Sequence, residues 1–313
     1  MRTTSLIAAV GTPLTGDESL HVDGLEAHLA DQWRSGMTGI LVGGTMGAMQ
    51  LLTDATYRRL VDAAIRISKG QGEVMVGVGD CGLARTRQRI ELLNQYSVDG
   101  VVILTPYFFR FSQPELVAYF NALADESRNP VFLYDLPTLT GTKLELATVQ
   151  QLARNSKIRG IKCSGDLGAA RQLIDLVPKQ FRVILAQADL VDVLLRHGIT
   201  EHLDGVFALA PAWVSAIAKA AAADDWNAAG RFQRRVSALL RVLKQYGVFQ
   251  TFTLLLNARG IGGSFMPAPL RPLTRDELAD IMNESIVQDL LSENKNLSHQ
   301  PAVQPAPEFL SAK

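Results

Sequence analysis

The sequence predicts an α/β fold, a (β/α)8 TIM barrel with a C-terminal helical extension. Short apolar or β-branched runs alternate through residues 6–209 with longer amphipathic stretches of helical spacing. The alternation gives about eight strand–helix units of about 30 residues each, which fits a closed barrel of about 250 residues. A doubly wound open sheet is the alternative. That fold often has a G-x-G-x-x-G turn after its first strand, and Val10-Gly11-Thr12-Pro13 does not match it.

Local patterns predict each element in turn. The eight predicted strands cover residues 6–10, 39–42, 74–78, 101–104, 131–134, 158–162, 183–185 and 206–209. The stretches between them repeat apolar residues at helical spacing, and capping residues such as Thr53 and Ser112 mark helix starts. Past Pro211 the strands stop. The predicted helices there cover residues 213–223, 226–245 and 248–257, with one more that is capped at Thr274 and runs through residue 286.

These elements divide the chain into three parts. Residues 1–223 form the predicted barrel, and residues 224–290 form a helical extension that packs on the barrel, because no linker-like boundary separates them. Residues 291–313 are polar at first and then contain Pro301, Pro305 and Pro307. We expect this last part to be a mobile tail.

Composition excludes several classes of partner. The 313 residues carry a formal net charge of zero, and no cluster of Lys and Arg indicates a nucleic-acid or membrane surface. The apolar run near the N-terminus is too brief for a signal peptide, and no run reaches the length of a membrane span. Cys81 and Cys163 are too few and too far apart for a disulfide framework. We therefore expect a cytoplasmic protein.

A lysine and a tyrosine stand at the ends of two neighbouring predicted strands. Lys162 ends the sixth strand and Tyr134 ends the fifth, and barrel enzymes carry their chemistry at the carboxyl ends of strands. A lysine in this position either points to solvent or sits in an apolar pocket as a neutral amine. The neutral amine can attack a carbonyl carbon and form a Schiff base. The nearby tyrosine favours the second reading.

Seven short motifs support that reading by resemblance. They are GTPLT (11–15), GGTMG (43–47), GVGD (77–80), TPYFF (105–109), YDLPTLTG (134–141), GIKCSG (160–165) and APLRPLT (268–274). Each motif alone is weak. In this order and at this spacing, the chain from about residue 5 to about residue 277 resembles the dihydrodipicolinate synthase/N-acetylneuraminate lyase family of class I, Schiff-base-forming enzymes.

The resemblance implies the catalytic roles. Lys162 matches the lysine that forms an imine with the keto carbon of pyruvate or another 2-keto acid, and Tyr134 matches the tyrosine that shuttles a proton. Thr45 matches the first hydroxyl residue of the family's G-T/S-T-G-E signature. The covalent imine replaces any cofactor or metal. The resemblance also implies a homo-oligomer, a tetramer or a dimer.

Departures from the family pattern affect the pocket for the second substrate. Met46 replaces a threonine, Phe108 replaces a tyrosine whose hydroxyl completes a proton relay across a subunit interface, and Leu139 stands where the synthases carry an arginine. Gln187 replaces a glycine, and Phe207 enlarges an apolar wall. The predicted substrate-binding residues are Thr45, Met46, Tyr107, Phe108, Leu139, Gln187 and Phe207. An apolar second substrate follows from this lining.

Three functions stay open at this level. The first is a class I lyase or aldolase with an apolar second-substrate pocket. The second is dihydrodipicolinate synthase, which joins pyruvate to aspartate semialdehyde in lysine biosynthesis. The third is a non-catalytic relative that binds keto acids, which Met46, Ala48 and Phe108 favour and the retained Lys162 and Tyr134 oppose. Asp135 is either a catalytic acid or a turn residue that caps backbone amides.

Overall fold

Eight parallel strands close into a barrel in sequence order. The computed structural model describes residues 4–297, and neighbouring strands along the chain are neighbours in the barrel. The strands are β1 (Ser5–Ala9), β2 (Gly39–Val42), β3 (Glu73–Gly77), β4 (Gly100–Leu104), β5 (Val131–Asp135), β6 (Ile158–Cys163), β7 (Arg182–Leu185) and β8 (Glu201–Asp204). Ser5 pairs with Glu201, and this pairing of β1 with β8 closes the ring. The predicted TIM barrel is confirmed.

Helices cover the outside of the barrel and form the extension. Those within the barrel are α1 (Val22–Arg34), α2 (Asp54–Ser68), α3 (Leu83–Leu93), α4 (Gln113–Glu126), α5 (Pro137–Thr140), α6 (Leu146–Leu152), α7 (Leu167–Leu176), α8 (Val191–Arg196) and α9 (Pro211–Ala222). The extension consists of α10 (Trp226–Tyr246), α11 (Val248–Ala258), α12 (Arg275–Asn283) and α13 (Ser285–Leu297). None of the described helices is long and apolar enough to cross a membrane.

The eighth strand was predicted in the wrong place. Residues 206–209 form a short 3-10 turn and its end, whereas β8 lies at Glu201–Asp204. The true strand carries charged residues at both ends, so it lacks the apolar run that marks the other strands. Residues 206–209 are apolar because they are buried in the core, not because they pair in the sheet.

Two hydrophobic clusters divide the core. An interior cluster fills the barrel with alternate residues of the strands, such as Ile7 and Ala9 of β1. An outer cluster lies between the strands and the helices and takes the residues between them, such as Leu6 and Ala8. Successive strand side chains point to opposite faces, which produces this division.

The extension is tied to the barrel by charged groups. Arg259, next to the end of α11, donates to both carboxylate oxygens of Asp31 on α1, at 3.0 and 2.8 Å. Glu293 of α13 accepts from the indole of Trp213 and from Arg235, both at 2.6 Å. These contacts join the extension to α1 and α9.

The end of the chain differs in two respects from its prediction. The helix capped at Thr274 ends at Asn283, because Glu284 adopts an extended backbone, and α13 begins at once afterwards. The single helix predicted through residue 286 is therefore two helices. Residues 291–297, expected to begin the tail, belong to α13, and residues 298–313 lie outside the described part of the chain.

Charged side chains lie at the amino end of the barrel, opposite the predicted site. The guanidinium of Arg182 on β7 donates to Glu73 of β3 at 2.5 and 3.1 Å, and to Glu201 of β8 at 3.1 and 2.7 Å. The same group lies 5.5 Å from the ring centroid of Phe132 in the interior cluster. Arg182 therefore joins three strands beneath the interior cluster.

Candidate active site

Lys162 and Tyr134 meet inside the carboxyl end of the barrel. They are register partners on β6 and β5, and the Lys162 Nζ lies 3.9 Å from the centroid of the Tyr134 ring. Lys162 is 6% exposed and Tyr134 is 5% exposed. A buried amine beside a phenol ring is the arrangement that the strand-end pattern predicted.

A glycine makes room beneath the lysine. Gly160 lies two residues before Lys162, so both face the same side of β6. A Cβ at Gly160 would lie 2.8 Å from the ring of Phe132 and 2.5 Å from the carbonyl oxygen of Arg182. Only glycine leaves space for that ring, and Phe132 in turn forms the apolar floor under Lys162 and Tyr134.

The loop after β2 brings an unused hydroxyl to the site. The Thr45 Oγ1 is buried and has no hydrogen-bond partner among the described residues. The loop is fixed by Thr12, whose hydroxyl donates to the Gly47 carbonyl at 2.7 Å. A buried hydroxyl without a partner is costly unless a ligand supplies one. The Thr45 hydroxyl is therefore a candidate to bind a polar group of a ligand.

Met46 lies against the end of β8. Its sulfur would be 3.0 Å from a Cβ at Gly205, and its side chain packs on both hydrophobic clusters. Gly205 therefore provides the space that Met46 occupies. The side chain at this position is apolar and in contact with the interior cluster, as expected from the sequence.

Exposed apolar side chains lie on the loops after β4 and β5. Phe108 is 84% exposed and Leu139 is 67% exposed, and Phe108 packs edge to face with Phe109 at a centroid distance of 5.0 Å. Phe108 has a φ of 79°, which is uncommon for a bulky residue. Tyr107 is half-buried against the interior cluster, and burial raises the pKa of its phenol, as does the nearby charge of Asp80.

Gln187 and Phe207, both predicted to bind substrate, lie in different surroundings. The Gln187 side chain donates to the Gly165 carbonyl at 2.7 Å, so it joins the loops that follow β7 and β6. Phe207 is 1% exposed and packs in the outer cluster, because it belongs to the 3-10 turn and not to a strand end. The structure therefore does not place Phe207 with the residues around Lys162.

Two residues near the lysine were missed. Asp204 ends β8 and is partly buried. Burial raises the pKa of its carboxyl, a hydrogen bond from the Val206 amide at 3.1 Å opposes that rise, and so does the charge of Lys162. It was missed because the eighth strand was misplaced. Leu136 packs in the interior cluster two residues after Tyr134, and extending the strand alternation would have identified it.

Two aspartates at strand ends hold backbone amides. Asp80 accepts from the Cys81 amide at 2.6 Å, and Asp135 accepts from the Leu144 amide at 3.0 Å. Both carboxylates also pair with cations, Asp80 with Arg89 at 2.9 Å and Asp135 with Lys143. The turn-residue reading of Asp135 therefore fits these contacts. Within residues 4–297, no three His, Cys, Asp or Glu side chains are grouped so that they could hold a metal ion.

Two curated relatives match most of the chain. The 4-hydroxy-tetrahydrodipicolinate synthase 1 of Streptomyces coelicolor is 31% identical over 283 residues, 88% of this chain and 91% of that protein. The 4-hydroxy-tetrahydrodipicolinate synthase of an Exiguobacterium species is 27% identical over 284 residues, 90% of this chain and 96% of that protein. Both similarities extend over the barrel and most of the extension.

Solved structures agree with the fold. YagE, a prophage protein of the dihydrodipicolinic acid synthase family from E. coli K12 solved in complex with pyruvate, has a TM-score of 0.84 at 25% identity and covers 92% of this chain and 98% of its own. The 4-hydroxy-tetrahydrodipicolinate synthase of Methylacidiphilum fumariolicum SolV has a TM-score of 0.85 at 24% identity, covering 95% and 99%, which shows the fold alone.

The match to a family model gives the assignment. Residues 2–288 match the model described as the dihydrodipicolinate synthetase family, which takes in the barrel and most of the extension. The motifs around Thr45, Tyr134 and Lys162 all lie within that match. This chain belongs to the dihydrodipicolinate synthetase family.

Proposed function

We propose that the protein is a class I lyase or aldolase that forms an imine between Lys162 and pyruvate or another 2-keto acid. The observation that carries the proposal is the buried Lys162 Nζ, 3.9 Å from the centroid of the Tyr134 ring at the carboxyl end of the barrel. A lysine amine held away from water beside a phenol has the components of Schiff-base chemistry.

The proposed reaction begins with attack on the ketone. The Nζ of Lys162 gives up one proton and adds to the keto carbon, and that proton returns to the carbinol oxygen, so that water leaves and a protonated imine remains. The imine withdraws electrons, so a proton leaves the adjacent carbon and an enamine forms. The enamine carbon then bonds to an aldehyde carbon, and the aldehyde oxygen takes up a proton from the Tyr134 side. The same steps in reverse cleave the carbon–carbon bond.

The Thr45 hydroxyl serves the keto acid in this scheme. Its oxygen is buried without a partner, and a substrate carboxylate would accept the hydrogen bond that the folded chain leaves unmade. Met46 beside it contributes only apolar contact. The carboxylate is therefore held by one side-chain hydroxyl where the family pattern has two.

The second substrate is an uncharged, apolar aldehyde. Leu139 offers no donor to a carboxylate, and Phe108 and Phe109 add aromatic surface on the neighbouring loop. A planar arginine would bind an acidic aldehyde, and a leucine cannot replace it. The apolar side chains favour an aryl or alkyl aldehyde, for which benzaldehyde is a suitable first probe.

The protein acts as a homo-oligomer in the cytoplasm under this proposal. A phenylalanine that is 84% exposed in the single chain loses that exposure when a second copy covers the loop after β4. Cys81 and Cys163 are both free thiols, which suits a reducing compartment. Gel filtration with light scattering would test the assembly, and a monomer at micromolar concentration would contradict it.

Synthase activity with aspartate semialdehyde is the second candidate. The curated relatives are named 4-hydroxy-tetrahydrodipicolinate synthases, and this favours it. Leu139 counts against it, because the acidic aldehyde then has no bidentate partner at that position. A non-catalytic keto-acid binder is the third, and it requires that Lys162 form no imine that leads to turnover.

Borohydride trapping with pyruvate tests the proposal. We expect a pyruvate-sized reduced adduct on the peptide that contains Lys162, read by mass spectrometry, and none on Lys162→Met. The surface variant Lys157→Gln is the control and should trap as the wild type does. No adduct with pyruvate or with larger keto acids would contradict imine chemistry. An adduct without turnover of benzaldehyde or aspartate semialdehyde would favour the binding protein.

A further inference from the structure

The segment that carries Leu139 is fastened at both ends by one carboxylate. This 136–144 segment leaves the end of β5, turns through the single-turn helix α5 and enters α6. Asp135, at its start, accepts from the Leu144 amide at 3.0 Å, and it forms an ion pair with Lys143. The two ends of the segment therefore meet at the Asp135 side chain.

The same residue touches the strand that carries the lysine. Asp135 pairs in register with Cys163, and its carbonyl accepts from the Ser164 amide at 3.0 Å. Burial raises the pKa of the Cys163 thiol to about 12, and the charge of Asp135 adds to that rise. Asp135 is thus next to Tyr134 in sequence and beside the residue that follows Lys162 in space.

The stability of the buried Asp135 carboxylate depends on its partner, Lys143. Asp135 is 1% exposed, whereas the Lys143 side chain is 43% exposed. A buried carboxylate is stable only when it is paired and hydrogen-bonded, and removing one partner of such a pair leaves an uncompensated charge. Loss of Lys143 therefore destabilises the buried Asp135 carboxylate, whereas a neutral side chain at the partly exposed position 143 costs little by itself.

The middle of the segment is held separately. The Thr105 hydroxyl of the β4 loop donates to Thr140 at 2.9 Å, and the single Thr140 hydroxyl proton is shared between the carbonyls of Leu136 and Thr142, each 3.1 Å away. The turn keeps its shape through these bonds. Thr105 attaches the turn to the end of β4, and Gln113 of α4 donates to the Lys143 carbonyl at 2.9 Å. Asp135 and Lys143 attach the segment to the end of β5, next to Tyr134 and beside the strand that carries Lys162.

We propose that Asp135 and Lys143 are positioning residues for the second substrate: their ion pair holds the 136–144 segment, and Leu139 with it, against the strand ends that carry Tyr134 and Lys162. The inference rests on the proposed imine chemistry for its effect on catalysis. The predicted effect on the structure of the 136–144 segment is independent of that chemistry. Imine formation itself uses neither side chain, so the pair acts on the aldehyde step and not on the keto-acid step.

Hydrogen exchange and kinetics together test this. In Lys143→Gln we expect amide exchange in peptides covering 136–144 to be at least about tenfold faster, because the buried carboxylate loses its cation. Exchange in the other strands should not change. Lys143→Arg keeps the charge and should exchange as the wild type does. Lys157→Gln, a lysine on the loop before β6 that donates to the Asp125 carbonyl at 2.7 Å, is the matched control.

A double variant distinguishes the loss of the Asp135–Lys143 ion pair from general destabilisation of the fold. Asp135→Asn with Lys143→Gln puts two neutral amides where the ion pair was, and the amide oxygen can still accept from the Leu144 N–H. We expect it to recover part of the slow exchange that Lys143→Gln loses. A destabilised fold would show no such recovery.

The catalytic measurement uses pyruvate and benzaldehyde. Lys143→Gln should raise the KM for benzaldehyde by about tenfold or more and leave borohydride trapping of pyruvate unchanged. Unchanged exchange in the segment, faster exchange throughout the barrel, or an unchanged KM beside a loosened segment would each overturn the inference. If the wild type does not trap pyruvate, the proposed function fails, and the exchange result still decides whether the pair holds the segment.

Discussion

Under the proposed function, different single residues serve the imine chemistry and the choice of aldehyde. Lys162 and Tyr134, the proposed reacting pair, lie inside the barrel, where both are almost fully buried. Leu139 lies on the exposed segment after β5, where a change of side chain disturbs little packing. The residues proposed for the imine and the residue proposed for the choice of aldehyde therefore lie in different surroundings.

Introducing an arginine at position 139 should change which aldehyde is accepted. Leu139 is 67% exposed, so Leu139→Arg fits without burying a charge. Its guanidinium can bind the carboxylate of aspartate semialdehyde with two hydrogen bonds. We expect kcat/KM for pyruvate with aspartate semialdehyde to rise by about tenfold or more, and the value for benzaldehyde to fall. Both are measured by steady-state kinetics.

A matched variant controls for added charge. Leu176→Arg on α7 places the same side chain at a position that is 47% exposed and outside the site. Leu176→Arg should change neither the kcat/KM with aspartate semialdehyde nor the kcat/KM with benzaldehyde. An equal rise in kcat/KM with aspartate semialdehyde in both variants would show that added positive charge in general attracts the acidic aldehyde. No rise in Leu139→Arg would show that position 139 does not determine which aldehyde is accepted.

Residue patterns predicted that Lys162 and Tyr134 lie together and could not predict their surroundings. Lys162 and Tyr134 were found because both interrupt apolar strands at their ends, which needs only the sequence. The hydrogen bond from Gln187 to Gly165 and the packing of Met46 on Gly205 depend on which way each side chain turns. Those directions are set by tertiary neighbours that the sequence does not identify.

Elements were predicted well wherever strand and helix periods were clear. The first seven strands agree with the structure to within a residue or two, because each is a buried run with turn residues beside it. The eighth failed because β8 reads Glu-His-Leu-Asp, with His202 buried and bonded to the Ile199 carbonyl at 3.0 Å. The error at β8 is also the reason that Asp204 was missed and Phe207 was misplaced.

Glu293 is one of the residues that attach helix α13, and its hydrogen bonds predict how much it contributes to stability. Glu293 accepts from Trp213 and from Arg235, whose guanidinium also lies 4.2 Å from the centroid of the Trp213 ring system. Glu293 is 44% exposed, so solvent screens part of the interaction. We expect Glu293→Gln to destabilise the fold by about 1 kcal/mol and to lower the Tm by about 2 °C.

Differential scanning calorimetry would measure that loss. The neighbouring Asp289, 3.8 Å from Arg235 and 59% exposed, provides the control, because Asp289→Asn should leave the Tm nearly unchanged. Equal losses in the two variants would mean that net charge near Arg235, and not the Glu293 hydrogen bonds, stabilises α13.

The whole molecule should lose stability in mild acid because two histidines are buried. Burial lowers the pKa of His28 to about 3, and the charge of Arg259 adds to that effect. Burial lowers the pKa of His202 to about 4. A histidine that is harder to protonate in the folded chain stabilises the fold fully above its unfolded pKa, about 6.5. That stability is lost as the pH falls from there towards the folded value.

A histidine variant isolates this effect from other titrations. Each buried histidine should make the free energy of unfolding fall by up to about 1.4 kcal/mol per pH unit below pH 6.5. His28 packs edge to face on Phe252 and Phe265, so His28→Leu keeps an apolar group there and should reduce the slope between pH 6.5 and pH 4.5. Urea unfolding at a series of pH values measures the free energy of unfolding and so gives this slope. The exposed His197→Gln is the control, and equal slopes in all three proteins would contradict the account.

The Arg182 cluster has a consequence for how the chain is synthesised and folds. Its bonds join Glu73 to Arg182 across 109 positions of sequence, and its partner Glu201 lies on the last strand. Contacts between such distant positions form late, because a long loop must first close. A nascent chain that has not yet released β8 from the ribosome lacks both the second carboxylate and the strand that seals the ring. Barrel closure in this protein therefore cannot precede the release of β8, and chains truncated before residue 201 should be substrates for chaperones rather than half-formed enzymes.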